Sequence, residues 1–370
     1  MTKVKDIVQL FEEWVPVDYA EHWDNVGLQL GHTEQPVTKV MITLDVVDRV
    51  VKEAIEQDVD MIIAHHPLFF QELKSLDLAT PKGKVVQHLI KHDIAVYAAH
   101  TNLDVVDGGV NDLLADQLQI IDTKPLVTTN IEKIYKLVIY TPATHIEQLK
   151  HALGDAGAGH IGNYSHCSFR SRGTGAFKPL AGTNPYLGKQ DEMEEVDEYK
   201  LETIITESQF TSVLEAAEHA HPYEEMAYDV IPLANQGKVR GLGRIGFLAH
   251  PMPLKEYIEI VKQRFSLPAL RYVGSADQQI KRIAVLGGSG KGYIEAARKA
   301  GADLYVTGDL TFHDAQDAEE AGICLLDPGH HVEAVMKQGV KDYFDRNKEQ
   351  LSSDVEVITS KQFTEPFHFA

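Results

Sequence analysis

Cysteine is nearly absent. Only Cys167 and Cys324 occur in 370 residues, which excludes a disulfide framework and a thiolate zinc site, so any metal must be held through nitrogen and oxygen. Long apolar runs are missing too, and no stretch of about 18 apolar residues is available to span a bilayer. Positive charge is in deficit: 35 Lys+Arg stand against 55 Asp+Glu, a formal net charge of -20. That balance argues against a broad phosphate-binding surface, and so against nucleic acid as a partner. The opening MTKVKDIVQLFEEWVP carries acidic residues early, unlike the basic start and apolar middle of a secretory signal, and points to the cytoplasm.

What is present is an ordinary globular balance, 44% hydrophobic and 24% charged residues, in a chain long enough for two domains or one interrupted domain. From Lys39 the sequence alternates. KVMITLD, DMIIAHH and IAVYAAH read as strands, and RVVKEAIEQ, KGKVVQHLIKH and GGVNDLLADQL as helices. The strands are continuous apolar runs, which a parallel sheet covered on both faces requires. The pattern resumes late, with strands RIAVLGG, ADLYVTGD and ICLLD and helices GYIEAARKAG, FHDAQDAEEAG and HHVEAVMKQGVKDYF.

Between the two halves, KIYKLVIYTP, THIEQLKHALGDAG, a Gly-, Asn- and aromatic-rich stretch, EYKLETIITES, FTSVLEAAEHAH and YEEMAYDVIPL give strand-helix-strand-strand-helix-strand, the ferredoxin-like order. The expectation is therefore an α/β protein: a two-part core of mostly parallel strands from residues 1–127 and 240–370, interrupted by an inserted α+β ferredoxin-like domain at 128–239.

Eighteen histidines are more than packing requires, and position separates them. In open parallel α/β sheets, ligands collect beyond the carboxyl ends of the strands. Asp45, the pair His65 and His66, and then His100 and Asp104 end three successive strands; Asp309, and His330, His331 and Glu333, follow strands of the second half. A lone histidine at a strand end is more often a satisfied polar residue than a ligand. Two adjacent ones differ, because neighbours on a strand face opposite ways unless the strand has broken, and Pro67 supplies the break. Two imidazoles then address two neighbouring metal ions. Asp104 is the expected bridge, since a carboxylate spans metals about 3.5 to 4 Å apart. His330 and Glu333, three apart on one helix face, close the site.

Such a set suits zinc, iron(II) or manganese rather than magnesium or calcium. His100, His313 and His331 stay open as partners of ligands, substrate contacts or caps, with His100 and Asp309 as candidate proton relays. LGGSGKGY could cradle a phosphate or simply be a tight turn; neither a Walker pattern nor GxGxxG is present. EHWDNVGLQLG reads as a turn with an aromatic plug, or as polar groups at a pocket mouth.

Taken together, DNVGLQLG, TLD, AHHPLFF, AAHTNLD, TGDLTFHDA and DPGHHVEA resemble the GTP cyclohydrolase type 2 homologues, also called Ngg-interacting-factor-three-like proteins, over nearly the whole chain. GHIGNYSHCSFRSRGTGAFKP and HPYEEMAYDVIPL resemble the CutA-like or PII-like insert of the longer bacterial members. The resemblance implies a dinuclear centre on His65, His66, Asp104, His330 and Glu333, with zinc foremost and iron(II) or manganese as alternatives. Some shorter members space the last histidine and acid by four instead of three, which leaves His331 as an alternative ligand. A homohexameric ring of trimers is implied as well.

Two functions follow from these residues. The first is a metal-dependent hydrolase of the cyclohydrolase type acting on a small molecule or nucleotide. The second is a metal-trafficking or regulatory binding protein without turnover. A DNA-linked role, suggested by the family's other name, runs against the acidic balance.

Overall fold

A computed structural model of the chain describes residues 1–71, 73–352 and 354–368. The chain divides into two compact units, Met1–Asn130 with Arg240–Ala370, and Ile131–Val239. It is a mixed α/β fold with three sheets. Among the described residues no helix is long and apolar enough to cross a membrane.

The chain starts with α1 (Val4–Trp14), β1 (Gly27–Leu30), β2 (Lys39–Thr43), α2 (Asp48–Glu56), β3 (Met61–Ala64) and α3 (Pro81–Lys91). It continues through β4 (Ala95–Ala98), α4 (Thr101–Val105), α5 (Val110–Gln117) and β5 (Ile121–Ile131). The second unit contributes β6 (Ile134–Pro142), α6 (Ile146–Asp155), β7 (Ser168–Phe177), β8 (Glu194–Thr206), α7 (Phe210–Ala220) and β9 (Tyr228–Pro232). The first unit then resumes with β10 (Val239–Pro253), α8 (Leu254–Arg264), β11 (Arg271–Val273), β12 (Gln279–Val285), α9 (Ile294–Lys299) and β13 (Leu304–Val306). It ends with α10 (Phe312–Ala321), β14 (Cys324–Asp327), α11 (Met336–Asn347) and β15 (Glu356–Thr359).

The first unit holds two sheets, ordered β1-β4-β3-β2-β15 and β11-β14-β13-β12-β10-β5. Their centres are parallel, β4, β3, β2 and β15 in one and β12, β13 and β14 in the other. Antiparallel β1, β10 and β11 extend them, strands that the alternating apolar pattern does not announce. Every residue of Met61–Ala64 is buried, because both faces of this sheet are covered. Val40, Ile42, Met61 and Ile63 face a core that also takes Ile7, Leu114, Ile283, Val285 and Val340. Met41, Ile62 and Ala64 face the opposite way, onto Val50, Ala54 and Val86 of α2 and α3. With the helices occupying the flanks, the carboxyl ends of the parallel strands are left for the chain's polar groups.

Two late helices are shorter than their sequence pattern suggests. GYIEAARKAG forms a 3₁₀ turn, Lys291–Tyr293, before the six residues of α9, and HHVEAV forms a 3₁₀ turn, His330–Val335, before α11. In the second unit the sheet order is β7-β8-β6-β9, and β7–β8, β8–β6 and β6–β9 all pair antiparallel. Leu137, Ile139, Leu201 and Ile205 pack on Leu149, Leu153, Val213 and Ala217 of α6 and α7, so both helices cover one face of that sheet.

Candidate metal centre

Strand β3 ends at Ala64, and the two residues after it still donate to the neighbouring strand's line, His65 N to Thr43 O and His66 N to Leu44 O. Pro67 follows, and the chain leaves the sheet. His65 is fully buried, and its ring lies 5.1 Å from that of His66. The 3₁₀ turn brings His330 and Glu333 to the same place; with three residues per turn, side chains three apart eclipse. His330 Nε2 and Glu333 Oε2 are 3.1 Å apart.

Two clusters result, and they share one carboxylate. Glu333 Oε1 lies 3.7 Å from His65 Nε2, which is itself 3.9 Å from Asp104 Oδ1. Glu333 Oε2 lies 3.1 Å from both His66 Nε2 and His330 Nε2. The triads His65, Asp104, Glu333 and His66, His330, Glu333 each present ligand atoms within 4.8 Å of one another. The shared group is thus Glu333. Asp104, expected between the two imidazoles, groups with His65 and Glu333.

Every imidazole here is held through Nδ1. His65 pairs with Ala99 O at 2.9 Å, His66 with Asp45 at 2.7 Å, His100 with Asp24 at 2.9 Å and His330 with Asp309 at 2.8 Å. Each therefore turns Nε2 to the centre, the arrangement metal-ligating histidines adopt. Asp309 contacts the ring of His330, so it positions that ring. His100 groups with His65 and His66, while Asp24 also accepts from Thr101 N at 3.0 Å. His331 is outside these groups: its ring packs on Phe363 at 4.5 Å.

The carboxylates and imidazoles of the cluster shift one another strongly. Burial, and then the Glu333 carboxylate, push Asp104 well above the usual carboxylate range. Burial opposes ionisation of Glu333 too, but the facing imidazoles of His65, His330 and His66 outweigh it and hold Glu333 well below normal. His66 rises to about 10 against its burial, through Asp45 and Glu333, and His330 rises to about 9, mainly through Glu333. Burial lowers His65, against the opposing pull of Glu333. His65 Nε2 and Asp104 Oδ1 are buried without a hydrogen-bond partner, a costly state for two polar atoms facing each other. Nitrogen and oxygen donors that converge unpaired fit a divalent cation.

The loop after β12 serves this site. A Cβ at Gly287 or Gly288 would stand 2.9 or 2.6 Å from Glu333 Oε1, so the glycines make room for the shared carboxylate. Gly287 N already donates to Asn111 Oδ1 and Gly290 N to Thr307 Oγ1, which disfavours a phosphate cradle. Buried Asn111 also donates to Asp104 O at 3.0 Å, so it joins the backbones beside both carboxylates. No spacing rule flags it. Beside the centre, a cavity of about 1600 Å³ is lined by His66, Arg49, Arg264, Asp309, His330 and Phe363, among others.

The family described as Duf34/NIF3 (NGG1p interacting factor 3) matches residues 2–366. The chain belongs to the Duf34/NIF3 family. A relative from Halalkalibacterium halodurans called GTP cyclohydrolase 1 type 2 homolog is 48% identical over 363 residues, covering 98% of each chain. One of the same name from Bacillus subtilis is 47% identical over 365 residues, covering 99% of this chain and 98% of its own. Among solved structures, a Bacillus cereus protein related to NIF3 superposes with a TM-score of 0.93 at 46% identity, covering 100% of this chain and 99% of the other. The Duf34/NIF3 resemblance read from the motifs is thereby established over the chain's length.

Proposed function

We propose that this Duf34/NIF3 protein is a dinuclear metal-dependent hydrolase of the cyclohydrolase type. The observation that carries the reading is Glu333, whose two oxygens serve two triads that otherwise lack a shared member. His65, Asp104 and Glu333 would hold one ion and His66, His330 and Glu333 the other, with zinc the first candidate and iron(II) or manganese the alternatives. When bound, such a pair supplies Lewis-acid polarisation and water activated near neutral pH.

The chain's own residues do the rest. Asp45, Asp24, Asp309 and the Ala99 carbonyl fix the imidazoles by Nδ1. His100, anchored by Asp24, is the proposed proton relay, and the adjoining cavity admits a substrate of nucleotide size. Arg49 and Arg264 line that cavity together with Asp45, Asp48, Asp309 and Glu365, so it offers groups of both signs to a polar substrate. The name GTP cyclohydrolase 1 type 2 homolog belongs to the relatives; for this chain GTP is a first substrate to try.

The same reading includes a ferredoxin-like, CutA/PII-like inserted domain, a cytoplasmic setting and a homohexamer, the last tested by mass in solution. The deciding experiment loads the purified protein with zinc, manganese or iron(II) and measures turnover of GTP and of related cyclic amides. Turnover that disappears in Asp104→Ala, with the fold intact by circular dichroism, is expected. No turnover across the panel, with metal that exchanges freely, overturns the hydrolase in favour of a metal carrier.

A further inference from the structure

The second unit has a cavity of its own, about 900 Å³, lined by Tyr140, Phe177, Tyr186, Glu198, Tyr223 and Glu224, among others. It lies on the sheet face that α6 and α7 leave uncovered. Tyr199 and Leu201 of β8 pack on the helix side, so Glu198 and Lys200, in alternation, take the other side. Across the ladder from Glu198 is Gly173, and a Cβ on Gly175 would come 2.0 Å from Glu198 Oε2. Gly175 of GTG thus leaves the space that this carboxylate fills. The loop between β7 and β8 closes the cavity, tied down by Asn184 N donating to Glu224 at 2.9 Å.

The walls are aromatic and the charge is negative. Phe177 and Tyr186 lie 5.8 and 6.3 Å from the Tyr223 ring. Glu198 is only 8% exposed and accepts from the Tyr223 hydroxyl at 2.8 Å. His221 does not neutralise it. His221 Nδ1 accepts from Tyr223 N, which leaves Nε2–H to donate to Tyr140 O, an arrangement of the neutral ring. The two cations of the lining are engaged with acids outside it, Arg172 with Asp197 at 2.5 Å and Lys200 with Glu202 at 3.4 Å. A buried carboxylate without a cationic partner is costly, and aromatic faces attract cations. A metal ion is not indicated, because among the described residues no group of three His, Cys, Asp or Glu side chains converges here.

We propose that this cavity is a binding site for an organic cation, an ammonium or guanidinium held against Glu198 and enclosed by Tyr186, Tyr223 and Phe177. The site is separate from the metal centre and does not rest on its chemistry.

Calorimetry on the full chain tests it, with choline and arginine as probes, their neutral counterparts 3,3-dimethylbutanol and citrulline as controls, and ATP as an anion. At least one cation is expected to bind one per chain, about tenfold or more tighter than its neutral counterpart. Glu198→Gln should weaken that cation by about tenfold, and Tyr186→Ala, on the half-exposed wall, by a smaller factor, both with unchanged metal content. Should Glu198→Gln fail to fold, Tyr186→Ala decides. Absence of binding by both cations, equal binding of the neutral counterparts, preference for ATP, or affinity unchanged in the folded variants overturns the proposal.

Discussion

Glu333 is the residue on which the two candidate metal positions depend together, whereas His330 and Asp104 each belong to one. Replacing Glu333 by Gln keeps the shape but removes the charge that two cations would share. Native mass spectrometry of zinc-loaded protein should then show both ions lost from Glu333→Gln, but one retained in His330→Ala. Protonation gives a second expectation. Without metal, His66 rises from 6.5 to about 10 and His330 to about 9. A raised folded-state value means the stabilisation is fully present below the unfolded value near 6.5 and is lost as pH rises through 9 to 10. The melting temperature of the metal-free protein should therefore fall as pH rises from about 6.5 to about 10, the window those values set, and this fall should shrink in His66→Ala, with His330 supplying the remainder. Metal must displace the same protons, so zinc affinity should climb with pH, with protons released on binding.

At the scale of elements, the site is made where strand ends of two sheets meet the first turn after β14 and the start of α5. Much of this could be read from residue order. The doubled histidine before Pro67, and the recurrence of Asp, His and Glu after β2, β3, β4, β13 and β14, mark the carboxyl ends of the parallel strands in both sheets, because ligand-binding ends follow from topology. Which carboxylate lies between the imidazoles could not be read, since Asp104 and Glu333 have equal claims until side-chain directions are known. Asp45 was visible at a strand end and Asp24 within a stretch read as a turn or a pocket mouth, but their hold on His66 and His100 depends on contacts across 21 and 76 residues. Antiparallel β1, β10 and β11 also escaped the pattern, because strands at or near a sheet edge need no continuous apolar run.

Asn111 was silent in the sequence, and it yields an element-scale prediction. It bonds Gly287 N and Asp104 O, so Asn111→Ala strands two buried backbone groups. That should cost about 1–3 kcal/mol in chemical denaturation. It should also weaken zinc binding by more than a control substitution at an exposed α5 position does.

For the whole molecule, the question is how two compact units share one chain. β5 and β10 are neighbours in the second sheet of the first unit, and in the second unit Glu132 N donates to Lys238 O at 3.0 Å. The strand that leaves the first unit and the strand that returns to it are thus side by side, as in a hairpin with a very long tip. Replacing residues 133–237 by a two-residue Asn-Gly turn should give a folded protein with its full zinc content, checked by circular dichroism and metal analysis. Loss of zinc on this deletion would mean that the first unit does not complete its site alone.

That paired exit and return also has a historical consequence. A module gained or lost at the tip of a hairpin is a single event in the gene, and it disturbs no codon of the candidate metal site on either side. The Glu132–Lys238 closure is therefore the place where chains of quite different length can be expected to differ, while the histidine-bearing ends of β3 and β14 pass unaltered from one to the next.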